Sequence, residues 1–100
     1  MKEYFYLNPS KMGKLTRQLT GSELKMLYAI MYCLSVSGEK WFVNNEQNRA
    51  KIAEVGFAKA PEWISTILSK LTKKGVLKRE ANGVFSIDKE LFINPNEINP

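Results

Sequence analysis

The sequence predicts a mainly helical α+β fold that closes in a β-hairpin. Three observations carry this expectation. Capping residues stand ahead of two helical segments, the stretch from Pro61 to the stop at Gly75 is amphipathic, and Asn82-Gly83 separates two β-rich runs. An Asn-Gly pair between such runs is the strongest short-range hairpin signal.

Taken in order, residues 3–8, "EYFYLN", are aromatic-rich and closed by Pro9, which predicts a short strand or extended arm. Residues 10–19, "SKMGKLTRQL", are basic and fit either a loop or a weak helix broken by Gly13. A firm helix starts at Thr20, where Glu23 three residues later completes a capping box, and it stops before Gly38. Leu24, Leu27, Tyr28 and Met31 form one apolar stripe along it, and Met26, Ile30 and Cys33 form another. A helix apolar nearly all round is buried on both sides. That implies a central helix, or one partly covered by a second subunit.

"KWFVNN", residues 40–45, predicts a short strand, after which Asn44 or Asn45 caps a second helix that ends at Gly56. Its expected buried face is modest: Ala50, Ile52, Ala53 and Val55. A turn, "FAKA", leads to Pro61, which suits the first position of a third helix because its missing N–H costs nothing there. Ile64, Ile67, Leu68 and Leu71 share one face of that helix. The opposite face carries Glu62, Thr66, Ser69 and Lys73, flanked by Ser65 and Lys70. Gly75 ends it, and "VLKRE" and "VFSID" become the hairpin strands. The expected organisation is an arm and basic linker over 1–19, a domain over 20–93, and a polar tail, "NPNEINP", over 94–100.

Composition narrows the function classes. The 100 residues carry 15 Lys and Arg against 10 Asp and Glu, a net charge of +5. The distribution is more informative than the total. Lys59, Lys70, Lys73, Lys74, Lys78 and Arg79 crowd residues 59–79 against Glu62 alone, while residues 80–100 set Glu80, Asp88, Glu90 and Glu97 against Lys89. A basic segment before an acidic one suits a surface with one polyanion-facing side. Histidine is absent, Asp88 is the sole aspartate, and neither a Cys cluster nor a phosphate-cradling Gly loop occurs, so no enzyme activity, metal or cofactor is expected. No apolar run approaches the roughly 20 residues that span a bilayer, and the N-terminus lacks a signal-peptide pattern. The single Cys33 sits in an apolar run as a small hydrophobe and suits a reducing, cytoplasmic compartment.

The segments "NRAKIAEVGF" (48–57), "ISTILSKLTKKGVLKRE" (64–80) and "GVFSIDKELFINP" (83–95) together resemble the winged helix-turn-helix. Residues 48–57 are similar to the helix before the turn. Residues 64–80 resemble a recognition helix running through Leu71, two lysines, Gly75, Val76 and Leu77 into a wing. Residues 83–95 are similar to the returning wing strand of plasmid replication proteins and phage or MarR-like regulators. The resemblance covers about residues 20–93 and implies three helices, a wing and a short N-terminal strand or arm. It also implies double-stranded DNA as partner, in replication initiation or transcriptional regulation. The N-terminal half of the third helix would enter the major groove, with the hairpin on the backbone or minor groove.

The residue types agree with that placement. Ser65, Thr66 and Ser69 are short hydroxyls suited to base edges or phosphates; Lys59, Lys70 and Lys73 suit phosphates, as do Lys78 and Arg79 from the hairpin. Neutralising about five phosphates gives a log–log salt slope of about −4 to −5. The chain also departs from the family pattern. Its turn is longer by about two residues, and the helix opens Ala60-Pro61-Glu62-Trp63 where many relatives have Ser-Arg-Ser-Thr. Glu62 repels phosphate unless it accepts from a cytosine amino group, and no arginine lies in the helix to contact guanine. Trp63 reads as edge packing, Lys11, Lys14 and Arg17 as a solvated segment, and Lys73 and Lys74 as either dipole complements or phosphate ligands. The alternative function is a winged helix used as a protein-interaction or oligomerisation module, for instance a homodimer through the arm and first helix.

Overall fold

A computed structural model of the chain describes residues 6–7, 13, 17–56, 59–88 and 92–93. The elements are β1 (Tyr6–Leu7), α1 (Gly21–Ser37), β2 (Phe42–Val43), α2 (Glu46–Ala53), α3 (Pro61–Lys73), β3 (Leu77–Ala81), β4 (Val84–Ile87) and β5 (Phe92–Ile93). Among the described residues the fold is mainly helical, with an antiparallel three-stranded sheet ordered β2-β4-β3. Phe57 and Ala58 of the expected turn, Lys11 and Lys14, and the tail 94–100 lie outside the described residues. Arg17 and Gln18, in the ambiguous basic stretch, have helical backbone. Among the described residues no helix is long and apolar enough to cross a membrane.

The capping box of α1 forms as its sequence dictates. Glu23 N–H donates to Thr20 Oγ1 at 3.2 Å, and Thr20 N–H donates to Glu23 Oε1 at 2.8 Å. Gly38, with φ 75°, closes the helix by donating to the Leu34 carbonyl. Met26, Leu27, Ala29, Ile30, Cys33 and Leu34 of α1 are all buried. The helix packs against both α2 and α3, so it is the central helix that its composition implied. The two expected stripes merge into one broad arc. Tyr28 lies beyond its edge and is 53% exposed, in a strip with half-buried Tyr32 and exposed Val36.

Helix α2 is shorter than expected. Asn45 caps it by accepting from Asn48 N–H at 2.8 Å, but the helix ends at Ala53 and the chain turns through Gly56 at φ 92°. Losing that last turn leaves Val55 exposed, and Ala50 faces solvent; Ile52 is the residue of α2 that reaches the core. One buried side chain is a thin anchor, and polar ties supplement it. Cys33 Sγ donates to Asn48 Oδ1, Asn48 Nδ2 donates to the Val43 carbonyl, and Tyr32 hydroxyl donates to Glu54 Oε2. Burial pushes the Cys33 thiol above its ordinary range.

Helix α3 follows its periodicity. Ile64, Ile67, Leu68 and Leu71 are buried in one core with Phe42, Val76, Leu77, Phe85 and Ile87 of the sheet side. Its end is a Schellman motif: Gly75 N–H bonds the Thr72 carbonyl, Val76 N–H bonds the Leu71 carbonyl, and Gly75 takes φ 80°. A Cβ on Gly75 would meet nothing within 4 Å, so only backbone strain opposes a side chain there. Gly75→Ala is therefore expected to destabilise the fold by about 1–2 kcal/mol in chemical denaturation, with the denaturant dependence unchanged.

The hairpin forms at Asn82-Gly83, with Gly83 at φ 74°. Asn82 keeps a negative φ, so the turn is not the doubly left-handed type that Asn-Gly often adopts. The pairing instead slips by one residue between Arg79 and Ala81, a bulge at Glu80. On its other edge β4 pairs with β2 through Phe42–Phe85 and Val43–Val84. The expected N-terminal strand finds a partner that sequence reading did not name: Tyr6 pairs with Ile93 and Leu7 with Phe92.

Candidate nucleic-acid interface

The amphipathicity that buries one face of α3 turns Glu62, Ser65, Thr66, Ser69, Lys70 and Lys73 to the other. All are exposed except Ser69, which is half-buried. Lys59 precedes the helix, and its ammonium lies 5.4 Å from the centroid of the partly exposed Trp63 ring. Trp63 thus has a cation over its ring while remaining partly open to solvent. Among the described residues, Lys70 and Lys73 have no ion-pair partner, and together they make the C-terminal half of this face positive. Glu62 sits at the opposite end, in the first turn, where it complements the helix dipole.

Lys74 behaves differently from its neighbours. Its Nζ donates to Glu23 Oε1 at 2.6 Å and to the Gln18 carbonyl at 2.8 Å. It joins the end of α3 to the start of α1, a structural role rather than a free charge for phosphate. The Glu23 side chain is almost wholly buried. Burial alone would raise its carboxyl; the Lys74 hydrogen bond and charge and the Thr20 N–H outweigh this and hold it below its ordinary value.

On the hairpin, strand alternation separates the two basic residues. Arg79 pairs with Phe85 and lies with its guanidinium 5.4 Å from that ring, on the face shared with Leu77 and Ile87. Lys78 pairs with Ser86 on the other face, where Ser86 Oγ donates to Glu80 Oε2 at 2.6 Å. Lys78 and Arg79 are both exposed, yet they point to opposite sides of the hairpin.

Sequence reasoning missed the residue that joins these parts. Asn44 N–H donates to the Gly83 carbonyl at the hairpin turn, at 2.8 Å. Its side-chain Nδ2 donates to Ser65 Oγ on α3 at 3.2 Å, and its Oδ1 accepts from Arg49 Nη1 on α2 at 3.0 Å. The hairpin turn, the N-terminal half of α3 and α2 therefore converge on Asn44. Arg49 brings next to α3 the arginine that α3 itself lacks. The Asn44-Asn45 pair is legible in sequence only as alternative caps; once Asn45 takes that role, Asn44 is released to bridge.

The hydroxyls on α3 are not equivalent. Thr66 Oγ1 spends its proton on the Glu62 carbonyl one turn back, at 3.0 Å. It retains only acceptor capacity toward a partner. Ser65 accepts from Asn44 and keeps its own proton.

Comparison with protein-family models, with curated proteins and with solved structures finds no match to this chain.

Proposed function

We propose that the chain is a winged-helix domain that binds double-stranded DNA, in replication initiation or transcriptional control of the plasmid and phage kind. The observation that carries this reading is the convergence at Asn44. It sets the hairpin turn beside the polar face of α3, so that one duplex can meet both. The order helix, strand, helix, helix, hairpin supports it, as does a sheet in which the strand after α1 pairs with the returning hairpin strand. The charges agree. Lys59, Lys70 and Lys73 flank the face, and the hairpin adds a cation on either side of itself, Lys78 on one and Arg79 on the other, so that one of the two can face the same duplex.

Binding of a random-sequence duplex measured against salt tests the reading. A log–log slope of about −3 to −4 is expected from about four phosphate contacts, since Lys78 and Arg79 point to opposite sides of the hairpin. A slope near zero, or no binding at low salt, refutes it.

A second reading, a protein-interaction module, is favoured by one observation. The strip of Tyr28, Tyr32 and Val36 on α1, with Val55 beyond α2, leaves aromatic and aliphatic surface uncovered. Tyr28 and Val36, both about half exposed, are the residues to change in testing such an interface.

A further inference from the structure

We infer that Asn44 acts as a polarity-setting residue that dedicates the Ser65 hydroxyl to donating a hydrogen bond to an acceptor on duplex DNA. This rests on the duplex-binding reading above and names a contact within it. The direction of the chain follows from chemistry. A guanidinium can only donate, so the atom of Asn44 that faces Arg49 at 3.0 Å must be the carbonyl oxygen. The amide nitrogen then necessarily faces Ser65, where it donates at 3.2 Å. A hydroxyl that accepts from an amide has its proton left for a third group. Among the described residues no acceptor takes it, in contrast to Thr66, whose proton is held by the Glu62 carbonyl. Ser65 is exposed, on the face of α3 beside the hairpin turn, so that proton points to a partner.

The matching chemistry is an acceptor without a donor. In duplex DNA that is a phosphate oxygen or a major-groove acceptor such as guanine N7 or O6, adenine N7 or thymine O4. The amine of adenine or cytosine fits less well, because it could use only the second lone pair of Ser65 Oγ and would leave the Ser65 proton without an acceptor. Arg49 contributes by holding Asn44 in one orientation, which saves the ordering of a free amide on binding.

The test is a double-mutant cycle on Asn44 and Ser65, using two probes: a random-sequence duplex and one recovered from a random pool by the wild-type protein. Ser65→Ala is expected to weaken binding about 3- to 10-fold, the worth of one hydrogen bond. Ser65→Thr, which retains the hydroxyl, is expected to preserve binding and controls for folding. Asn44→Asp keeps a partner for Arg49 but turns the group facing Ser65 into an acceptor, drawing the serine proton inward. In that background Ser65→Ala is expected to cost nothing further, whatever the added negative charge does by itself. Equal losses on both probes identify a phosphate acceptor; a loss confined to the recovered duplex identifies a base edge. Wild-type affinity in Ser65→Ala, or an equal Ser65→Ala cost in both backgrounds, overturns the inference while duplex binding itself stands. Failure of the wild type to bind either duplex overturns both.

Discussion

A Lys70→Glu/Lys73→Glu variant is expected to bind duplex DNA about 100-fold more weakly than the wild type at about 0.1 M salt. Its salt slope should be shallower by about 2, since each lost phosphate contact removes about 0.9. The size of the effect follows from where the two lysines stand. Both are exposed, both lie on the polar face of α3, and neither has an ion-pair partner among the described residues. Among the described residues nothing pairs with these two charges, and the variant replaces attraction by repulsion at both. The fold should feel the change weakly. The substitutions reverse two favourable charges in the last turn of the helix, at about 0.5 kcal/mol each. Filter or fluorescence binding beside a thermal melt separates the two effects. Unchanged affinity and slope in a folded variant would remove α3 from the interface. Lys74 is the contrasting control: it is committed to Glu23, so its replacement should act on stability first.

The other large effect is expected at Glu23. One carboxylate oxygen serves both the Thr20 N–H of the capping box and the Lys74 ammonium, in a nearly water-free position. Glu23→Ala leaves Thr20 as the N-cap but removes the return hydrogen bond of the capping box, worth about 1 kcal/mol, and a charged hydrogen bond worth about 1.5–3 kcal/mol. The Lys74 side chain is one-third exposed and can turn to water, which moderates the loss. A destabilisation of about 3 kcal/mol should lower Tm by about 10–20 °C in a domain of this size. The pH dependence has a defined sign. The folded state holds the Glu23 carboxyl below its ordinary value of 4.5, so the unfolded chain takes up the proton first as pH falls. Its stabilisation is complete above about 4.5 and is lost as pH falls through the lower folded value. Wild type and variant should therefore differ most at neutral pH and converge in acid. A difference that stayed constant to low pH would show that the charge of Glu23 contributes nothing.

Much of this architecture is legible along the chain because it depends on neighbours in sequence. The Thr20–Glu23 box, Pro61 at the start of α3, its four-residue apolar stripe and the Gly75 stop are local chemistry, and each takes the form its residues dictate. The pairing of β1 with β5 is not legible, since two residues per strand carry no periodicity. Tyr28 and Val55 depart from expectation for related reasons. Apolar spacing finds stripes but not the width of a helix's buried arc, and a helix that stops at Ala53 cannot bury Val55. At the candidate interface, the basic residues are conspicuous by charge, while their grouping depends on tertiary packing. Strand alternation separates Lys78 from Arg79, and a buried carboxylate claims Lys74. Asn44 and Arg49 are silent in the sequence because their meaning lies in Ser65 and Gly83, which only folding brings near.

The β1–β5 pair has a consequence for chain closure. Tyr6 lies opposite Ile93 and Leu7 opposite Phe92, so this short antiparallel ladder closes a loop of chain that contains α1, α2, α3 and the three-stranded sheet. The entropy of closing a loop grows only with the logarithm of its length, so a closure this long costs little more than a much shorter one.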